Sequence, residues 1–585
     1  MSQRNFVREI GWFGVAICVI LAGWPKLAAA ENATVASRFL PPSTLVYAEF
    51  ADPVQVYSTI LDHPLRQRLE QLLPVEMLKQ TEDYRKFQAG VGLAEGLFGM
   101  PWREALESIT ENGIAFAVDL DTKGVALILA ARDDHIAQSF VEKVMMIASL
   151  EKTADVQQVE YRGVKAFRRD DLRVAACAGH VLITNSSDLG RAVLDRMIDG
   201  SGLSLADDDT FSDALKARSD RSNGWGFVHL ETIRKRELVP KLFAGQIDNP
   251  LVELMVGGIQ SALARTPYGS AGVNLEQSGL ELHFAVPFEA DWIPERREYY
   301  FGPGASGTGP ALPVIDQELL EISTHRNLAE LWMRAGDLFD ERINDEFAKA
   351  DATLTTIFAG RDFGEDILGA INPEIGLIAV RQNYSDQLPQ PAIKLPAFAL
   401  IMTMKDPQNV SRDFRRTFQS VVGFFNVVGA QEGLNQLELD MEKFGDGSQL
   451  VISRYVPEQD AADSTHAKII FNFSPTIGFA DERFILSSTT DLARILTKHS
   501  DWPTNHPNAN VSAEISADVL QQVLADNRAQ LVAQNMLEEG HSKEEAESVI
   551  GLILDTVGFL SSASARLVHE DKTLKLTFRL GVDAE

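Results

Sequence analysis

Apolar and polar positions switch period repeatedly along this chain, and the switches recur. Val181–Leu194 (VLITNSSDLGRAVL) reads as a short apolar strand, a polar cap and an amphipathic helix. Phe484–Leu496 (FILSSTTDLARIL) reads the same way. Placing Asp188 on Asp491 also brings Leu189 onto Leu492 and Arg191 onto Arg494, at an offset of 303 residues.

The segments before this unit recur too. Phe39–Phe50 alternates as a strand, and Asp52-Pro53 predicts a helix start with Asp52 at the N-cap. Ile114–Leu129 predicts a hairpin turning at Asp121–Gly124. A helix follows with Ile136, Phe140, Val144 and Ile147 on one face. After Ile371 the pattern is again hairpin and helix, with Val410, Phe414, Phe418 and Val421 at an offset of 274. Short strands come next: Val159–Phe167, Leu172–Cys177 and Val181–Thr184 in the first copy. In the second they are Leu437–Met441, Gln449–Tyr455, Ile469–Phe473 and Phe484–Leu486. Trp225–Leu230 and Val511–Ile515 predict strands that lead into helices. The hairpins Gly269–Phe288 and Ser562–Leu580 close the copies.

The reading is α+β: two tandem duplicated modules of mostly antiparallel sheet, with helices packed on one face. The first module spans residues 31–288 and the second 314–585, joined by a Gly/Pro-rich linker at 289–313. Trp292, Tyr299, Tyr300 and Phe301 flank the glycines of that linker, and laying it down on a domain would bury them.

Residues 1–30 carry an export pattern: Arg4 and Arg8, the 14-residue apolar run Ile10–Gly23, and Ala28-Ala29-Ala30 before a predicted cut at Glu31. An uncleaved signal acting as a membrane anchor is the alternative. Trp24 stands where a lipidated Cys would be required. No later stretch is long and apolar enough to span a bilayer. The formal charge of −29 becomes −31 once Arg4, Arg8, Lys26 and Glu9 are removed. Such acidity repels nucleic acid and anionic membranes, and no nucleic-acid partner is expected. Cleavage also removes Cys18, so Cys177 stands alone in an apolar setting, which predicts an inert thiol and no intrachain disulfide.

Candidate chemistry is sparse. Gly90–Gly96 has GxGxxxG spacing after a helical segment, which predicts a loop between helices and not a phosphate cradle. Asp207-Asp208-Asp209 lacks the alternation of a calcium loop and precedes FSDALKA, so helix capping is expected. His499 and His506 share a polar loop without zinc-ligand spacing. Tyr268–Gly272 lacks the spacing and context of a nucleophile elbow. Asp188 and Asp491 are expected to cap helices. No catalytic, cofactor-binding or metal-binding residue is assigned, and no cofactor is implied.

LPPSTLVYAEFADP, the hairpin–helix modules and VLITNSSDLGRAV together resemble a family of exported bacterial proteins of unknown function. Its members open with a similar LP-x-x-T-L-x-Y strand and carry similar G-x-L-V-L-(A/T)-(S/N)-S-x-x-x-L segments. The resemblance spans most of residues 39–580. The second copy departs from it, since no Thr-Leu-x-Tyr follows Leu312-Pro313. It implies no activity or site residues. The expectation is an exported envelope protein that binds or scaffolds, with an envelope protein or a small ligand as partner. A carrier of an apolar ligand, or a hydrolase built from dispersed carboxylates, are the alternatives.

Overall fold

Alternation in the first strand decides which residues meet. The computed structural model describes residues 35–70, 79, 81–149, 156–218, 222–243, 245, 247–358, 360–384, 390–431, 435–456, 468–503 and 507–583. The export segment, Cys18 and His506 lie outside the described residues. Two compact units are present. Unit 1 comprises the chain through Leu238 with Thr266–Ala285, and unit 2 comprises Val239–Arg265 with Val286–Asp583. That division does not follow the 288/314 boundaries read from sequence, because Val239–Arg265 packs with the later chain.

The strands of unit 1 are β1 Thr44–Phe50, β2 Ile114–Asp119, β3 Gly124–Ala130, β4 Val156–Tyr161, β5 Val164–Arg169, β6 Leu172–Cys177, β7 His180–Thr184, β8 Gly224–Val228, β9 Gly269–Glu276 and β10 Gly279–Pro287. They pair antiparallel in the order β4-β5-β6-β7-β3-β2-β1-β8-β9-β10. Those of unit 2 are β11 Glu318–His325, β12 Ile371–Val380, β13 Ala397–Met404, β14 Leu437–Lys443, β15 Gln449–Tyr455, β16 Thr476–Ala480, β17 Arg483–Ser487, β18 Val511–Ser516, β19 Leu560–Glu570 and β20 Thr573–Val582. Their order, β14-β15-β16-β17-β13-β12-β11-β18-β19-β20, is that of unit 1 strand for strand.

Helices cover both faces of each ladder, which corrects the expectation of one face. In unit 1, Leu189, Val193 and Met197 of the helix Ser187–Asp199 pack on Ala126, Ile128 and Leu182. Ala137, Val141 and Met145 of the helix Asp134–Ser149 pack on Leu129, Val174 and Val181, which point the other way. In unit 2, Leu492 and Leu496 meet Ile378, Ala399 and Ile485, while Val410 and Phe414 meet Met402, Met404 and Phe484. The reason is legible in β3 and β7, whose unbroken apolar runs suit burial on both sides.

Two further local readings are corrected. Gly90–Gly96 is no loop but part of a continuous helix, Glu82–Phe98, that ends at Gly99 in the left-handed region (φ +71°). Interior glycines cost about 1 kcal/mol each yet do not forbid a helix. Ile469–Phe473 is not a strand: Ile469–Asn472 forms a 3₁₀ turn, and the strand is Thr476–Ala480. Buried Asn472 fixes that turn by donating to the carbonyls of Ile393 and Ile469 and accepting from the Leu395 amide.

Candidate functional site

The site begins with two side chains on one face of β1. Tyr47 and Glu49 are two residues apart, so both point to the side that carries Ala115 and Ala117 of β2. Small residues there leave room. Leu40, Phe211 and Trp225 close over Tyr47, with the Phe211 ring edge-on at 5.4 Å. Glu49 is thereby buried, with its side chain 3% exposed.

A buried carboxylate needs partners, and it has two. The Tyr47 hydroxyl donates to Glu49 Oε2 at 2.5 Å, and Arg218 Nη1 donates to Oε1 at 2.5 Å. Arg218 follows the helix Asp209–Lys216 and lies over the Trp225 ring at 5.8 Å. Burial pushes the Glu49 carboxyl up, while Tyr47 and Arg218 pull it down. Burial also drives the Tyr47 hydroxyl well up, reinforced by the neighbouring Glu49 charge.

Beside Glu49 lies a cavity of about 240 Å³. Its walls come from the ends of β1, β2 and β3, from Val35 and Ala36 of the N-terminal turn, and from His180 at the start of β7. Gly113 sits in its lining at φ +125°, where an added Cβ would lie 3.2 Å from the Phe50 carbonyl oxygen. Backbone conformation and that close approach both exclude a larger residue. His180 Nδ1 is 2.7 Å from the Ala178 carbonyl oxygen. A carbonyl only accepts, so Nδ1 carries the hydrogen and Nε2 is an acceptor in the neutral ring. Burial lowers the His180 pKa and favours that neutral form. Asn112, also in the lining, donates its amide to the Ala131 carbonyl at 2.7 Å.

A second buried polar cluster lies in unit 2. Arg297 binds Glu253 of the helix Pro250–Leu263 through Nε and Nη2, at 2.6 and 2.7 Å, and also reaches Ser261 and Gln260. Tyr299 donates to the Glu253 carbonyl at 2.8 Å. Tyr299, Tyr300 and Phe301 are buried, as expected for a linker laid down on a domain, whereas Trp292 is only half-buried. Arg326 is buried, without a carboxylate contact among the described residues: it donates to the carbonyls of Leu254 and Tyr300 and to Asn510 Oδ1, with its guanidinium 3.5 Å from the Tyr300 ring centroid. These groups fasten chain segments together.

The sequence-derived candidates do not converge. Asp188 and Asp491 are exposed first-turn residues, each beside an arginine three residues on. Their expected capping role belongs instead to Ser186, which accepts from the Leu189 amide, and Thr489, which accepts from the Leu492 amide. The serine and threonine win because they sit at the residue where the backbone leaves the extended region. Asp208 caps the helix at Asp209, and Asp207 closes a capping box with Ser204. Burial and the nearby Asp134 charge raise the Cys177 pKa. His499 packs edge-on to Trp502. Among the described residues, no group of three or more His, Cys, Asp or Glu is placed to hold a metal ion.

Sequence reasoning missed Glu49. Its signal was present, since it is the one charge within the otherwise apolar and small run Leu45–Ala51.

No family model matches the chain, and no curated protein does. Among solved structures the chain is similar to TP0453 in its crystal forms IV, III and I, at 9%, 10% and 9% identity and a TM-score of 0.24 each. The likeness covers 43% of this chain and 78–80% of those chains. A likeness that weak carries no argument about this site.

Proposed function

We propose that this is an exported cell-envelope protein that acts by binding, and that unit 1 takes a small ligand in the cavity beside Glu49. The N-terminal pattern of residues 1–30 supports export. The observation that carries the binding reading is the cavity itself: apolar walls from Val35, Phe50, Ile114 and Ile128, with a few polar groups at fixed positions. A cavity of about 150 Å³ holds benzene, so about 240 Å³ accommodates a ring with a short substituent. A buried carboxylate whose two oxygens are both engaged, by Tyr47 and by Arg218, is poorly placed to shuttle a proton. That arrangement favours binding over hydrolysis by dispersed acids.

The test is a fragment screen on the purified full chain by ligand-observed NMR, repeated with Ala130→Leu, which fills the cavity from its wall. Hits that vanish in the variant support the reading. Hits that bind wild type and variant alike would place the ligand elsewhere and refute it. N-terminal sequencing of the exported product, expected to begin at Glu31, checks the address.

A further inference from the structure

The shared strand order lets two helices be compared position by position. The pairing of β1 with β2 slips between Thr44 and Val46, and that of β11 with β12 between Glu318 and Leu320, which sets Val46 level with Leu320. Val46 pairs with Val228, and Val228 with Gly269. Leu320 pairs with Ile515, and Ile515 with Ala563. Gly269 is thus the counterpart of Ala563, at an offset of 294 residues. The helix Pro250–Leu263 ends six residues before Gly269, and the helix Lys543–Val557 ends six before Ala563. The same offset therefore places Gly257 on Gly551, Val252 on Ala546 and Val256 on Ile550.

These equivalent positions have opposite fates. Ala546 and Ile550 are buried, packed with Leu531 and Val532 of the helix Arg528–Glu539. Val252 and Val256 are exposed, and beside them Leu251 and Met255 are 71% and 68% exposed. The opposite face of Pro250–Leu263 is occupied, since Glu253 holds Arg297 and Tyr299. One helix thus turns outward the stripe that its counterpart keeps under a second helix. The counterpart also shows what kind of cover fits: a single amphipathic helix with adjacent Leu and Val.

Charge and size decide whose helix it is. The only charge within Pro250–Leu263 is Glu253, which is buried against Arg297, so the exposed stripe is neutral. A second copy would bring another chain at −29, which repels the first. Four side chains also fall far short of the about 20–30 residues a side of a stable interface between folded surfaces. They match the anchors of one helix laid against an apolar face. A basic helix is drawn in by the same field that repels a second copy.

We infer that the stripe of Leu251, Val252, Met255 and Val256 docks a basic amphipathic helix of a partner protein. This inference is independent of the cavity in unit 1.

The probe is a labelled synthetic helix with Leu-Val pairs four residues apart and lysine at the remaining positions, followed by fluorescence anisotropy at physiological salt. One control peptide has the same residues scrambled out of the stripe, and another has Glu in place of Lys. Each is titrated with the full chain and with Leu251→Gln/Met255→Gln, whose folding is confirmed by thermal unfolding. The lysine helix should bind wild type, and the double variant should weaken it at least about tenfold, the scale of one large apolar side chain left unburied. Both control peptides should bind wild type at least about tenfold more weakly. Equal binding of the scrambled peptide would reduce the effect to bulk charge and overturn the proposal, as would equal binding by the double variant or no binding at all. Equal binding of the Glu peptide overturns the basic class of partner. A wild-type dimer in sedimentation velocity that the double variant loses would assign the stripe to a second copy and overturn the proposal as well.

Discussion

Arg297 and Glu253 meet through two parallel hydrogen bonds, Nε to Oε1 at 2.6 Å and Nη2 to Oε2 at 2.7 Å, with both side chains at most 2% exposed. The fork geometry matches guanidinium to carboxylate and removes both charges from water together. Breaking one side strands the other. Arg297→Met should cost about 3–5 kcal/mol, and the double variant Glu253→Met/Arg297→Met should cost less than Arg297→Met alone. Equilibrium urea unfolding measures this, and a single variant with an unchanged midpoint would contradict it.

The Glu49 pair gives a pH signature. Burial holds the folded carboxyl above its unfolded value of 4.5. The folded state therefore binds the proton more tightly, and the stabilisation is complete below pH 4.5 and fades as pH rises through the folded value. Removing the cation should deepen that loss. Arg218→Met is expected to lower the thermal midpoint far more at pH 8 than at pH 5. Parallel curves for wild type and variant would show that Arg218 does not compensate the charge.

His325 gives the opposite slope. It is buried between Gly302 and Gly307, and among the described residues its Nδ1 has no hydrogen-bond partner. Burial, with the Arg326 charge beside it, lowers its pKa from 6.5 to about 4. Its contribution to stability is full above pH 6.5 and is lost as pH falls towards 4, because the unfolded chain takes up the proton first. His325→Phe should remove that part of the acid destabilisation. Thermal midpoints at pH 7 and pH 4.5 decide it: the variant should show the smaller drop.

Capping yields a contrast between neighbours. Ser186→Ala removes the acceptor for the Leu189 amide and should cost about 1 kcal/mol. Asp188→Asn changes only an exposed charge in the first helical turn, a few tenths of a kcal/mol at most. Chemical denaturation of the two variants should rank them in that order. The reverse order would return the cap to Asp188.

Much of the architecture was legible, because two-residue and four-residue periods report directly which side chains face inward. The strand-to-helix joint at Val181–Leu194, the hairpin Ile114–Leu129 and the closing hairpins all stand where the pattern placed them. Local patterns could not reveal the second layer of helices, since a strand apolar on both faces and a buried helical segment look alike over five residues. Nor could they join Glu49 to Arg218, 169 residues away. Sequence marks a lone acid in an apolar strand, but only the folded sheet shows what neutralises it and that a cavity opens alongside. Likewise Gly90–Gly96 fitted a loop as well as an exposed helix, and a Cβ at Gly90, Gly92 or Gly96 would meet nothing within 4 Å among the described residues.

Helix Pro250–Leu263 belongs to unit 2, whose core joins Ala262 to Tyr300, Phe301 and Leu567. From Ala262 to Leu567 the ribosome must add 305 further residues. At about 5–20 residues per second that takes on the order of 15–60 s. For all that time Leu254, Ile259 and Ala262 have no partner from the last hairpin to pack against, although unit 1 lacks only β9 and β10. The nascent chain thus carries an apolar helix ahead of its core, and a chaperone that shields it during synthesis would be acting on this one segment.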